Sequence, residues 1–131
     1  MITPTYGPLH FHRGGNNDRT WTFTIGATPV NLTGYEFTLD VRDGKDDTAP
    51  LILRITSDVD LEYPEYEAPG YLIAEFVVTG STGKLAMVFD QDVNDALPVG
   101  SYQHDLKSVS PDGTVEYWRY GPAVISRRIT P

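Results

Sequence analysis

Residues 89–106 read FDQDVNDALPVGSYQHDL, and the fold depends on which half of this stretch sets its purpose. The first half places Asp90, Asp92 and Asn94 at positions 1, 3 and 5 of an EF-hand-like loop. Such a loop needs glycine at position 6 for its sharp turn and a bidentate glutamate at position 12. Those positions hold Asp95 and Ser101, so the calcium reading fails at two defining places. The run reads better as a short helical turn. Asp90 is placed to cap it, Asp92 puts negative charge near its positive end, and Val93 and Leu97, four residues apart, face the core. Pro98 stops the turn and Gly100 launches a strand in which Tyr102, His104 and Leu106 alternate with Gln103, Asp105 and Lys107.

The same two-residue period recurs on both sides of this stretch. Trp21, Phe23 and Ile25 alternate with threonines; Tyr35, Phe37, Leu39 and Val41 alternate with Glu36, Thr38, Asp40 and Arg42; Leu51, Leu53 and Ile55 continue the pattern. Leu85, Met87 and Phe89 follow a GSTG turn, and Pro111-Asp112-Gly113 joins the Tyr102 strand to one spanning residues 115–120 as a hairpin. A last strand lies near residues 123–129. Residues 71–79, YLIAEFVVT, are apolar on both parities, which predicts a strand covered on both sides or lying at an interface. Seven to eight short strands with no long helical period predict an all-β fold, an immunoglobulin-like two-sheet β-sandwich with one short helical turn near residues 91–97. Its expected core comprises Trp21, Phe23, Phe37, Leu39, Leu53, Leu85, Met87, Phe89, Val93, Leu97, Tyr102 and Leu106. One domain is expected over residues 13–131, preceded by an arm, residues 1–12, with too many prolines and glycines for a long strand.

The chain has 131 residues, no cysteine and a formal net charge of -8. Without cysteine there is no disulfide framework and no thiolate chemistry. Scattered acids with few clustered lysines and arginines argue against a nucleic-acid partner. No run of eighteen apolar residues and no signal-peptide pattern occurs, so a membrane partner is not expected and synthesis in a cytoplasm is. No G-x-S-x-G element or phosphate-cradling glycine loop opens a helix, and Asp46, Asp47, Glu62, Glu65 and Glu67 lie in irregular stretches. The expectation is a protein that is not an enzyme. His10 and His12 would share one strand face, too few donors for a metal site, and His104 reads as a buried neutral imidazole. No cofactor and no metal are expected.

The aromatic and aliphatic side chains left over carry the functional reading. Tyr6, Leu9 and Phe11 in the arm, Tyr71 and Ile73 in the two-sided strand, and Tyr117, Trp118 and Tyr120 in the hairpin are candidate protein-interface residues, since such side chains bring large contact area at small entropy cost. A blander arrangement puts Trp118 and Tyr120 together on the core face. Tyr63, Tyr66 and Trp118 form an alternative platform for stacking a sugar ring.

The segments RGGNNDRTWTFTIGATPVNLTGYEFTLDVRD (13–43) and GKLAMVFDQDVNDALPVGSYQHDLKSVSPDGTVEYWRYGPAVISRRIT (83–130) resemble the immunoglobulin-like domain at the N-terminus of bacteriophage baseplate upper proteins and of small stand-alone proteins encoded beside tail and head genes. The features that match are the PVNLTGY strand entry, the VRD strand end, the turn ending in ALPVG, the YQHDL strand, the PDGTV hairpin and the closing strand. This resemblance implies a structural protein of a tailed-phage virion, an adaptor or assembly subunit of the tail or baseplate. Its partners would be other phage structural proteins and copies of itself. A capsid decoration or head-associated role, and a carbohydrate-binding module for host attachment, are the alternatives. The chain ends directly after its closing strand, without a trailing coiled coil or fibre, as expected of a complete subunit.

Overall fold

The structure, a computed structural model, describes residues 5–25, 27–44, 48–57 and 72–127. Period-two patterning becomes eleven strands: β1 (Thr5–Tyr6), β2 (Leu9–Arg13), β3 (Arg19–Thr22), β4 (Thr24–Ile25), β5 (Thr28–Pro29), β6 (Glu36–Arg42), β7 (Leu51–Thr56), β8 (Leu72–Thr79), β9 (Lys84–Val88), β10 (Gly100–Val109) and β11 (Val115–Arg127). One short helix, α1 (Gln91–Ala96), lies between β9 and β10. Nine of the strands form one sheet in the order β1-β11-β10-β6-β7-β8-β9-β3, with β2 also paired to β11. Strands β4 and β5 make a separate ribbon.

The fold is all-β and sandwich-like, because this sheet curls until its two ends face each other. Phe23, just beyond β3, reaches Trp118 of β11 with ring centroids 4.7 Å apart, and Trp21 lies 6.5 Å from Phe76 of β8. Every inward row feeds one core, including Phe37, Leu39 and Val41 from β6, Leu53 and Ile55 from β7, and Leu85 and Met87 from β9. Of the twelve core residues expected from the sequence, Trp21, Phe23, Val93 and Tyr102 are only partly buried and pack against the cluster from its rim. Two arginines hold the curled ends together. Arg19 of β3 donates to the His10 carbonyl at 2.6 Å and lies over the Phe11 ring, while Arg119 of β11 lies 4.7 Å from the Trp21 ring centroid and donates to the Pro8 carbonyl. Burial lowers the pKa of both guanidiniums, and for Arg119 the charge of Arg19 adds to it.

Three expectations are corrected by this architecture. The described part of residues 1–12 is no free arm: β1 and β2 are a single edge, interrupted at Gly7-Pro8, that pairs parallel to β11. The prolines and glycines therefore break a strand in two and do not abolish it. The β8 strand is not covered on both sides: Ala74 and Phe76 are buried, while Glu75 and Val77 are exposed and Ile73 half-buried on the outward face, which leaves the interface alternative standing. Asp90 does occupy the N-cap position of α1, but its carbonyl accepts from Val93 and Asn94 and its side chain makes no capping bond. What ties α1 down is a buried amide pair. Asn17 donates to the Asn94 side-chain oxygen at 2.7 Å, and it bonds both backbone groups of His12.

Candidate functional site

Strand register lines up one lateral row across the outer face of the sheet. Arg54 of β7 stands opposite Asp40 of β6, Asp40 opposite Asp105 of β10, Asp105 opposite Tyr120 of β11, and Tyr120 opposite Tyr6 of β1. A second row sets Arg42 opposite Gln103 and Gln103 opposite Pro122. Between the rows lies a cavity of about 380 Å³, lined by Tyr6, Asp40, Arg42, Gln103, Asp105 and Tyr120 among others. A β-bulge creates its aromatic wall. Leu106 pairs with Arg119 and Lys107 with Tyr117, which leaves Trp118 as the extra residue and reverses the facing of everything beyond it.

The polar groups of this cavity are unequally satisfied. Asp40 accepts two bonds from Arg54, at 2.8 and 3.1 Å, and one from Arg42 at 3.3 Å. Asp105, directly across from it, has no hydrogen-bond donor on its carboxylate among the described residues. Burial, and after it the Asp40 charge, pushes the Asp105 carboxyl above the usual range, with Arg42 and Lys107 pulling the other way. Tyr6 and Tyr120 meet edge to face at 5.3 Å and are 64% and 49% exposed. On the other side of β10, His104 is buried and its Nε2 accepts from the Arg119 Nε–H at 3.2 Å. Its Nδ1 has no partner among the described residues, and burial with the Arg119 charge lowers its pKa from 6.5 to about 4. The neutral state expected for His104 follows.

The structure separates the candidates that the sequence grouped. Leu9 and Phe11 are buried in the protein's own core, so they are not interface residues. Trp118 is 6% exposed and donates its indole N–H to Ser108 Oγ at 2.7 Å inside the core, which removes it both from the interface set and from the sugar platform. The bulge is the reason, and it also corrects the arrangement that put Trp118 and Tyr120 on one face. Tyr6, Tyr117 and Tyr120 are exposed, and Ile73 is half-buried on the outward side of β8. Tyr63, Tyr66 and Tyr71 lie outside the described residues, as do Asp46, Asp47, Glu62, Glu65 and Glu67. Sequence reading missed Asp40, Arg42, Gln103 and Asp105 as a set, because cross-strand register, not spacing along the chain, brings them together.

His10 and His12 do share a strand face, with rings stacked at 4.6 Å, and His10 bonds Ser126. No group of three or more histidine or acidic side chains able to hold a metal ion occurs among the described residues. Asn94, the third residue of the calcium-like run, is buried and spends its side-chain oxygen on Asn17. Among the described residues no helix is long and apolar enough to cross a membrane.

No protein-family model matches this chain, and no curated protein matches it. Among solved structures, CopC from Methylosinus trichosporium OB3b is similar over 95% of this chain and 88% of its own, with a TM-score of 0.42 and 13% identity. A likeness at that level carries no functional meaning.

Proposed function

We propose that this chain is a non-enzymatic structural subunit of a tailed-bacteriophage virion, an adaptor of the tail or baseplate that works through protein–protein contacts. The observation that carries the reading is a pair of apolar patches on outward faces of a molecule whose core is already filled. On the β8–β9 half, Val77 and Val88 are 44% and 38% exposed beside the half-buried Ile73. At the β10–β11 hairpin, Val115 and Tyr117 are 53% and 49% exposed. Covering such side chains returns about 25 cal/mol per Å² of apolar surface. Two separate patches suit a subunit that touches two neighbours, and the resemblance of its motifs to baseplate domains points the same way. Closed symmetry of phage assemblies would place its copies equivalently about an axis.

The structure changes which test is meaningful. Deleting residues 1–12 would strip Leu9 and Phe11 from the core, so loss of assembly would report unfolding. Val77→Lys and Tyr117→Lys instead charge one patch each and leave the core alone. Each is expected to keep the folded state and to lower the subunit's occupancy in assembled particles. Normal occupancy with both substitutions combined would overturn the reading. Heads and tails separated before the assay distinguish an adaptor of the tail from a capsid decoration protein.

A further inference from the structure

We propose that the cavity between Tyr6, Tyr120, Asp105, Gln103 and Arg42 is a binding site for a neutral saccharide. The proposal stands apart from the assembly role, which uses the Val77 and Tyr117 patches. A cavity of about 380 Å³ falls in the range that accommodates small ligands, roughly 300–1,000 Å³. Its chemistry selects among them. An anionic ligand would meet Asp40 and Asp105 opposite each other in the register. A cation would meet Arg42, which lines the cavity, with Arg54 already bonded to Asp40 and Lys107 close enough to bias Asp105. A hydroxyl both donates and accepts, so a polyol can satisfy this mixture without importing charge.

The donors and acceptors are arranged for that purpose. The half-buried Asp105 carboxylate lacks a donor among the described residues and offers acceptor capacity to one or two hydroxyls. Leaving such a carboxylate unpaired costs free energy that a ligand hydroxyl would recover. Gln103 beside it offers an amide, which both donates and accepts, and Arg42, bonded to the Ala49 carbonyl and to Asp40, has further N–H groups to donate. The exposed Tyr120 ring, braced edge-on by Tyr6, supplies a flat face whose negative quadrupole suits the C–H side of a pyranose ring. All five side chains project from paired strands, so the site is positioned by the sheet and not by a loop.

The test is an NMR titration of the isotopically labelled full chain with glucose, galactose, rhamnose and N-acetylglucosamine, each to millimolar excess. The expected result is saturable shift change at Gln103, Asp105 and Tyr120 with at least one of these sugars. Affinity should fall about tenfold or more in Tyr120→Ala and in Asp105→Asn, which is about 1.4 kcal/mol or more for each contact. Tyr6→Ala, which alters the most exposed residue of the set, should weaken binding while leaving the remaining spectrum in place. Absence of saturable change with every sugar overturns the proposal. So does saturable binding of methylguanidinium or lysine amide at these residues in place of sugar, which would make it a cation site.

Discussion

Two side chains of the β10–β11 pair, Trp118 and His104, show how much depends on a single backbone irregularity. With a regular ladder Trp118 would share a face with Tyr120. The bulge turns the indole inward, where it finds Ser108 as an acceptor, and turns Tyr120 out to wall the cavity. Arg119, next in sequence, then reaches His104 and fixes it as an acceptor, so the imidazole stays neutral. The folded-state pKa, about 4, lies below the unfolded 6.5, so in this window the unfolded chain binds more protons than the folded one. Stability from this group is therefore fully present above pH 6.5 and is lost as pH falls toward 4. The loss is on the order of 3 kcal/mol by linkage. Urea midpoints measured across this window should fall more steeply for the native chain than for His104→Gln. Parallel profiles for the two would contradict the assignment.

At the level of elements, the edge formed by β1 and β2 is the part of the fold that was hardest to read. It is also indispensable. Phe11 is fully buried, packs against Phe89 at 5.6 Å and sits under Arg19, so Phe11→Ala should cost about 3–5 kcal/mol in urea unfolding. A cost below about 0.5 kcal/mol, the range of surface changes, would mean that β2 is a detachable arm after all. Strands β6, β9 and β10 were legible because each carries alternation with one buried face, and β7 because Leu53 and Ile55 keep the period although Thr56 after them is buried too. Residues 5–13 were not, since Gly7 and Pro8 interrupt the period and the pairing is with a strand more than a hundred residues away. Close backbone approach also matters at this junction: a Cβ at Gly121, whose φ is +144°, would lie 2.6 Å from the Gly7 carbonyl oxygen. The short helix was legible in place and in its inward Leu97, but not in its anchor. The Asn17–Asn94 pair joins residues 77 apart, and no local pattern encodes it. The cavity was illegible for the same reason, because its residues converge through register across β1, β6, β10 and β11.

The whole molecule is a curled sheet with one filled core, a net charge of -8 and apolar side chains left over on its outside. Charge of that size opposes association of like-charged copies, while the uncovered patches favour partners that can desolvate them. Both properties suit a subunit that waits in solution and then joins a larger assembly, and the sugar cavity on a different patch would leave such an assembly able to hold a glycan. The central claim, that the chain belongs to a tailed-phage particle, is tested most directly by quantitative mass spectrometry of gradient-purified particles grown from the genome that encodes it. The account predicts peptides of this chain in the tail-containing fraction, at a fixed copy number relative to the other tail proteins. Their confinement to the cleared lysate, with none in intact particles, would contradict it.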